Sequence, residues 1–277
     1  MSTFRPSGVV TMTTDLGHKG PYVATMKGVM LARFPDVGIV DLTHDVLVHW
    51  PAEAGFWLRR SYRYFPKGTV HIAVVDPAGR AGREVLVIVH EQHAFVVPDN
   101  GLLGHLDPEH ASVYRFDPRK GPSLGLPEPS ATFHGRDIFA PIGADLASGK
   151  LSPQGIGPRI HEIVPSWLEE AEVSGREVRG AVITTDNFGN LITNIDAEMI
   201  ARFSAPRVEI TGKRIPMRST YAEAGPGEYL ALVNAFGVLE IARAETSARS
   251  CCSRATCSRR IAARAPKAKD PRTPPGS

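Results

Sequence analysis

Residues 68–89, GTVHIAVVDPAGRAGREVLVIV, set two apolar runs around a turn that carries Asp76 and, seven residues on, Arg83. Such a turn needs its glycines but not its acid. What Asp76 and Arg83 do therefore depends on what else converges on the same point. In TFHGRDIFAP, His134 stands at a helix entry just before Arg136 and Asp137. An imidazole there is either a satisfied polar group or a proton-handling one, because it titrates near neutrality. In TTDLGHKG, Asp15 follows the first apolar run, where a carboxylate can accept both hydrogen bonds of a ribose diol. A plain helix N-cap explains Asp15 equally well on local grounds. TTDNFGNLITN repeats the theme with Asp186, Phe188, Asn190 and Asn194. An aromatic ring for stacking beside an amide that both donates and accepts suits an adenine, and a glycine-containing hairpin is the plain alternative. PDNGLLGHL, residues 98–106, reads as a tight turn.

Metal chemistry is disfavoured. His90, Glu91 and His93 are close in sequence, but apolar strand-like runs flank them, so a hairpin with diverging side chains is expected. No HExxH occurs. Gly17 and Gly20 do not form GxGxxG, and no GxxxxGK[ST] is present.

These residues need a scaffold, and the chain of 277 residues is long enough for one large domain or two ordinary ones. From residue 8 to 165, strand-like runs (GVVTMTT, VGIVDLTH, TVHIAVV, EVLVIVH, HAFVVP) alternate with helix-like ones (YVATMKGVMLARF, WPAEAGFWLRRSYRYF). That alternation predicts a Rossmann-like α/β domain with a mostly parallel sheet, whose ligands bind beyond the carboxyl ends of the strands. Residues 166–178 read as a linker, and residues 179–248 carry the short runs and turn signals of a small antiparallel β-barrel-like domain.

Composition limits the rest. With 42% hydrophobic and 22% charged residues and no apolar run of membrane-spanning length, the sequence predicts a soluble cytoplasmic protein. The net charge of +3 is unevenly spread: residues 249–277 hold eight Lys or Arg against Asp270 alone, or +7, which leaves −4 on residues 1–248. All three cysteines, Cys251, Cys252 and Cys257, lie in that tail, so no disulfide holds the body together. The tail's Arg, Ala, Ser, Cys and Pro composition predicts disorder. Nucleic-acid binding through it would rest on charge alone, without interleaved aromatics.

Taken in order, TDLG, DLTH, FPKGTVHIAVVDP, PDNGLL, TFHGRDIFAP, DNFGNLITN and NAFGVLEIA resemble the S-adenosylmethionine hydroxide adenosyltransferases, relatives of the 5′-fluorinase and chlorinase. The resemblance covers roughly residues 8–244. It implies hydrolysis of S-adenosyl-L-methionine to adenosine and L-methionine by attack of water or hydroxide at ribose C5′. No cofactor or metal is called for. By the same resemblance Asp76, Arg83 and His134 form the catalytic set, and Asp15 holds the ribose hydroxyls. Asp186, Phe188 and Asn190 meet the substrate from the second domain, Tyr221 stacks, and Asn234, Ala235 and Phe236 contact the methionine end. The resemblance further implies a homotrimer with each site between subunits, and no nucleic-acid or membrane partner. The halogenases lack the acid at the position of Asp76, so hydrolysis is favoured over halogenation. A protein that binds S-adenosylmethionine or adenosine without turnover is the alternative.

Two departures stand against the family pattern. Gly20 replaces a customary aspartate in the first loop. After LEIA the residues lack the periodicity of the family's last strand, which suggests a change of reading frame near Ala248 and a small domain with an open edge.

Overall fold

In VVTMTT, Val10 and Met12 alternate with Thr11 and Thr13, giving β1 (Val9–Thr14) two unlike faces, both buried. A strand covered on both sides is the signature of an α/β layer, and the computed structural model has that architecture. It describes residues 4–75, 84–104, 106, 110–251 and 260–264, in two compact units that divide between Trp167 and Leu168.

In the first unit β1 is followed by α1 (Tyr22–Arg33), β2 (Gly38–Thr43), α2 (Pro51–Ser61), β3 (Val70–Val74), β4 (Val85–His90), β5 (His93–Pro98), β6 (Ser112–Arg115), α3 (Ala140–Ser148) and β7 (Arg159–Ile160). The sheet order is β2-β1-β3-β5-β4-β6-β7. Helical crossovers through α1 and α2 return the chain to the same end of the sheet, so β2, β1 and β3 run parallel, and β5, reached through β4, is parallel to β3. Between β4 and β5 stands a two-residue turn, Glu91–Gln92, with φ of 47° and 68° at its two residues. A turn of that hand reverses the chain at once and makes β4 antiparallel to β5.

Val10, Met12, Val70 and Ile72 face a core shared with Met26 and Met30 of α1 and Ile142 and Leu146 of α3. Ala73, Leu86, Ile88 and Phe95 face another, shared with Leu58 of α2 and Tyr62 just beyond it. Gly55 lets α2 sit down on the turn after β5, since a Cβ there would lie 1.9 Å from the Leu102 carbonyl oxygen.

The hairpin histidines do not diverge as expected. His90 and His93 are paired directly across the β4–β5 ladder, which puts their side chains on one face, where both meet the ring of Tyr62. His93 also bonds, Nδ1 to Nε2 at 3.1 Å, to His71, whose Nδ1 lies 2.7 Å from Thr11 Oγ1. Packing and hydrogen bonding account for His71 and His93, and packing against Tyr62 for His90.

The second unit comprises β8 (Glu172–Ser174), β9 (Glu177–Thr185), β10 (Leu191–Asp196), α4 (Ala197–Ile200), β11 (Arg207–Ile210), β12 (Lys213–Ile215), β13 (Tyr229–Val233), β14 (Val238–Arg243) and β15 (Arg260–Arg264). Its antiparallel strands follow the order β12-β11-β15-β9-β10-β14-β13, with β8 paired to β9. A bridge between Met217, just past β12, and Ala231 of β13 nearly closes the sheet into a barrel. Val178, Leu191, Ile195, Val208, Leu239 and Ile241 fill its interior.

The expectation of a missing last strand is corrected here. Residues 260–264 pair with β9 on one side and β11 on the other, and Ala263 is fully buried in the barrel core. The sequence RIAAR has a single strong β-former, Ile261, but a slot between two strands supplies ladder hydrogen bonds on both edges, so tertiary context overrides composition.

Candidate functional site

β1 delivers Asp15 to the carboxyl end of the parallel sheet, as the pattern predicted. Asp15 Oδ2 accepts the backbone N–H of His49 at 3.0 Å. His49 has φ 62°, a left-handed conformation that a non-glycine residue keeps only where its surroundings hold it. Behind Asp15, Thr14 Oγ1 accepts from the Leu16 N–H and lies 2.8 Å from His44 Nδ1. On the ring's other side, His44 Nε2 lies 3.0 Å from Asp41 Oδ1, and Asp41 is paired with Lys27. The loop that presents Asp15 is therefore anchored through DLTH of β2.

Asp76 and Arg83 lie outside the described residues. The described residues on either side of them, Val75 and Glu84, are held by the PDNG turn. Asn100 Nδ2 donates to the Val75 carbonyl at 2.8 Å, and the Asp99 N–H donates to the Glu84 carbonyl at 2.9 Å. Asp99 Oδ1 accepts the Val164 N–H at 2.8 Å. PDNG is thus a clamp.

Glu84 and His134 line one cleft of about 840 Å3, with Val85, Phe116 and Ile138 giving it an apolar wall. His134 stands at the entry to a one-turn π-helix, Gly135–Phe139, that runs into α3. Single π turns of this kind mark functional positions often. Its geometry is fixed by Asp137, which is buried and accepts the Ser130 N–H at 2.8 Å and the Arg136 guanidinium at 2.6 Å. That guanidinium beside it, assisted by Ser130, outweighs burial and holds the Asp137 carboxyl at about 2.

In the second unit the Asp186–Asn190 turn closes on itself, because Asp186 accepts both the backbone and the side-chain N–H of Asn190, at 2.8 and 3.0 Å. Phe188 at its tip is 82% exposed, so a stacking ring is on offer to a ligand or a partner surface. Gly189 packs so tightly on Ser247 that a Cβ would fall 2.1 Å from its hydroxyl, and Ala248 N–H donates to the Gly189 carbonyl.

Tyr221 and Asn234, far apart in the chain, meet through one carboxylate. Glu240 accepts the Tyr221 hydroxyl at 2.5 Å and Asn234 Nδ2 at 3.1 Å. Burial, then the Glu240 hydrogen bond and charge, and then the charge of Asp186 push the Tyr221 phenol up. Asn234 Oδ1 also accepts the N–H of Phe236 at 3.0 Å, fixing the loop that contains Ala235. Asn194, by contrast, is structural. It is spent on the Ala181 N–H at 2.7 Å and the Glu169 carbonyl at 2.8 Å.

Sequence reasoning named Asp137 only as a neighbour of His134 and gave no role to His44, Ser247 or Glu240. The best available signal was at Glu240, an acid inside the otherwise apolar run VLEIA.

Residues 10–157 match the family described as SAM hydroxide adenosyltransferase N-terminal domain, and residues 180–255 match its C-terminal domain. An (R)-S-adenosyl-L-methionine hydrolase of Thermus thermophilus is 38% identical over 247 residues, 87% of this chain and 93% of that protein. A fluorinase of Nocardia brasiliensis is 30% identical, over 86% of this chain and 91% of its own length. A crystal structure of a conserved protein from Thermotoga maritima superposes with a TM-score of 0.83 at 30% identity, covering 92% of this chain and 99% of that one.

Proposed function

The chain belongs to the SAM hydroxide adenosyltransferase family, and from that premise we propose that it hydrolyses S-adenosyl-L-methionine to adenosine and L-methionine. The observation that carries this reading is the 38% identity to the Thermus hydrolase along nearly the whole chain. Fluorinases are 27–30% identical, below the Thermus hydrolase and beside other hydrolases at 30–32%. The binding-only alternative rested on the altered tail, and the pairing of β15 with β9 and β11 within that tail speaks against it.

The chemistry places its demand on the nucleophile. Attack of a water oxygen at C5′ forms the C–O bond while the C–S pair returns to sulfur, so the sulfonium leaves as neutral methionine without an acid. Water must be held in line and must lose a proton. In our reading Asp76, Arg83 and His134 do this: Arg83 stabilises hydroxide character, and Asp76 and His134 orient the water and take up its proton. Orientation of this kind is worth about 7–11 kcal/mol in well-built sites. Asp15 takes the ribose diol; Asp186, Phe188 and Asn190 meet adenine and methionine. Tyr221 stacks, and the Asn234, Ala235 and Phe236 loop holds the methionine end. No cofactor enters.

We read the working form as a cytoplasmic homotrimer. Exposed apolar residues support assembly: Val40, Leu47 and Val48 near the β2 edge of the first unit, and Phe188 and Phe236 in the second. Among the described residues no helix is long and apolar enough to cross a membrane.

Incubation of the purified protein with S-adenosylmethionine, with and without chloride, tests the reading. Adenosine and methionine, lost in Asp76→Ala and His134→Ala, are expected. A 5′-chloro product, or tight binding without turnover, would refute it.

A further inference from the structure

Glu240 lies on the face of β14 turned away from the barrel core. Its neighbours Leu239 and Ile241 point inward, whereas Glu240 pairs across the ladders with Leu232 of β13 and Ile192 of β10. A small apolar cluster, Leu230, Leu232, Ala242 and Ala244, lines that outer face, and Ala224, three residues past Tyr221, packs on it. The Tyr221 segment therefore lies across the sheet and seals Glu240, which is 3% exposed. An acid buried among apolar residues is held only for its hydrogen bonds. Here one oxygen takes the Tyr221 hydroxyl and the other takes Asn234 Nδ2.

The Asp186–Asn190 turn and the Asn234–Gly237 turn stand at opposite ends of the β10–β14 ladder. Leu191 pairs with Ile241 near one end, and Asp196 pairs with Val238 at the other. Glu240 lies between them. It is bonded to the second turn through Asn234, and it holds the Tyr221 hydroxyl, which also feels the charge of Asp186.

We propose that Glu240 is a positioning residue for the substrate site: its carboxylate locks the Tyr221 ring and the Asn234–Gly237 loop in their binding arrangement. This deepens the hydrolase reading and rests on its assignment of Tyr221 and Asn234 to the substrate. A consequence follows from the donor count. The Tyr221 hydroxyl has a single proton and donates it in its hydrogen bond to Glu240, so Tyr221, a residue 49% exposed, meets its ligand with the ring. Asn234 likewise spends its carbonyl oxygen on the Phe236 N–H and one amide proton on Glu240.

The test compares Glu240→Gln, Tyr221→Phe, their combination and Tyr221→Ala, with steady-state kinetics on S-adenosylmethionine and phenolate absorbance against pH. Glu240→Gln keeps the shape but offers an amide where two donors arrive. It is expected to raise KM about tenfold while kcat stays within about threefold, because it loosens a binding surface and touches no reacting atom. Tyr221→Phe cuts the same link, so the double variant should be no worse than the poorer single one. The Tyr221 titration, identified as the one lost in Tyr221→Phe, should move down in Glu240→Gln. Multiplying KM effects, or a phenolate titration unmoved by Glu240→Gln, would overturn the inference. If Tyr221→Ala raises KM and Glu240→Gln does not, the positioning role fails and the site survives. If Tyr221→Ala leaves KM unchanged, the assignment of Tyr221 to the substrate fails instead. The titration readout stands even without turnover.

Discussion

Lowering the pH from 7.5 to 5.0 should destabilise the first unit through His71, by an amount the structure sets. The His71 ring has no exposed surface, stacks 5.0 Å from Phe95, and lies between Thr11 Oγ1 and His93 Nδ1. Burial first, and the neighbouring charge of His93 second, bring its pKa down to about 3 from 6.5. The folded protein therefore keeps the ring neutral while the unfolded chain protonates it below about pH 6.5. Stability is at its full value above that pH and falls as pH drops towards 3. At pH 5.0 the loss from His71 is RT ln(1 + 10^1.5), about 2 kcal/mol, against less than about 0.1 kcal/mol at pH 7.5. The figure barely changes for any folded pKa below about 4. Paired carboxylates such as Asp137 and Glu91, held down by arginine partners, add their own losses only below about pH 4.5, so the window isolates histidine. Urea unfolding of the parent and of His71→Phe at both pH values, at one protein concentration, measures the difference. The variant is expected to be weaker at pH 7.5 but to lose about 2 kcal/mol less on acidification. Equal losses in the two proteins would refute the reasoning.

Four further outcomes are expected. Gly55→Ala should cost about 1–3 kcal/mol by thermal unfolding, because its methyl would strike the Leu102 carbonyl. Gly28→Ala, exposed on α1 with nothing within 4 Å, should gain about 0.5–1 kcal/mol. Asp137→Asn leaves the π turn without its charged bracket, and should lower kcat for S-adenosylmethionine hydrolysis about tenfold or more by displacing His134. An unchanged kcat would remove Asp137 from that role. Ala263→Asp, a charge in the barrel core, should unfold the second unit, read as lost β-sheet circular dichroism; a native-like variant would mean β15 adds nothing to stability.

Local pattern determined much of this protein. The alternation in VVTMTT, the helical spacing in YVATMKGVMLAR and the Glu91–Gln92 reversal define their elements because the physics is short-range: strand and helix periods and turn sterics act within a few residues. The order of the family's motifs was likewise legible, Asp15 at the end of β1 and His134 at a helix entry included. What stayed illegible depended on partners far along the chain. RIAAR is a strand only because β9 and β11 offer it two open edges. His90 and His93 face one another because register, not spacing, sets the face. Asp99 and Asn100 are a clamp because Val75, Glu84 and Val164 come to them. Glu240 looked like one charge in an apolar strand until the fold laid Tyr221 over it and brought Asn234 to its other oxygen. A buried polar group gains its meaning from whatever satisfies it, and that is decided in three dimensions.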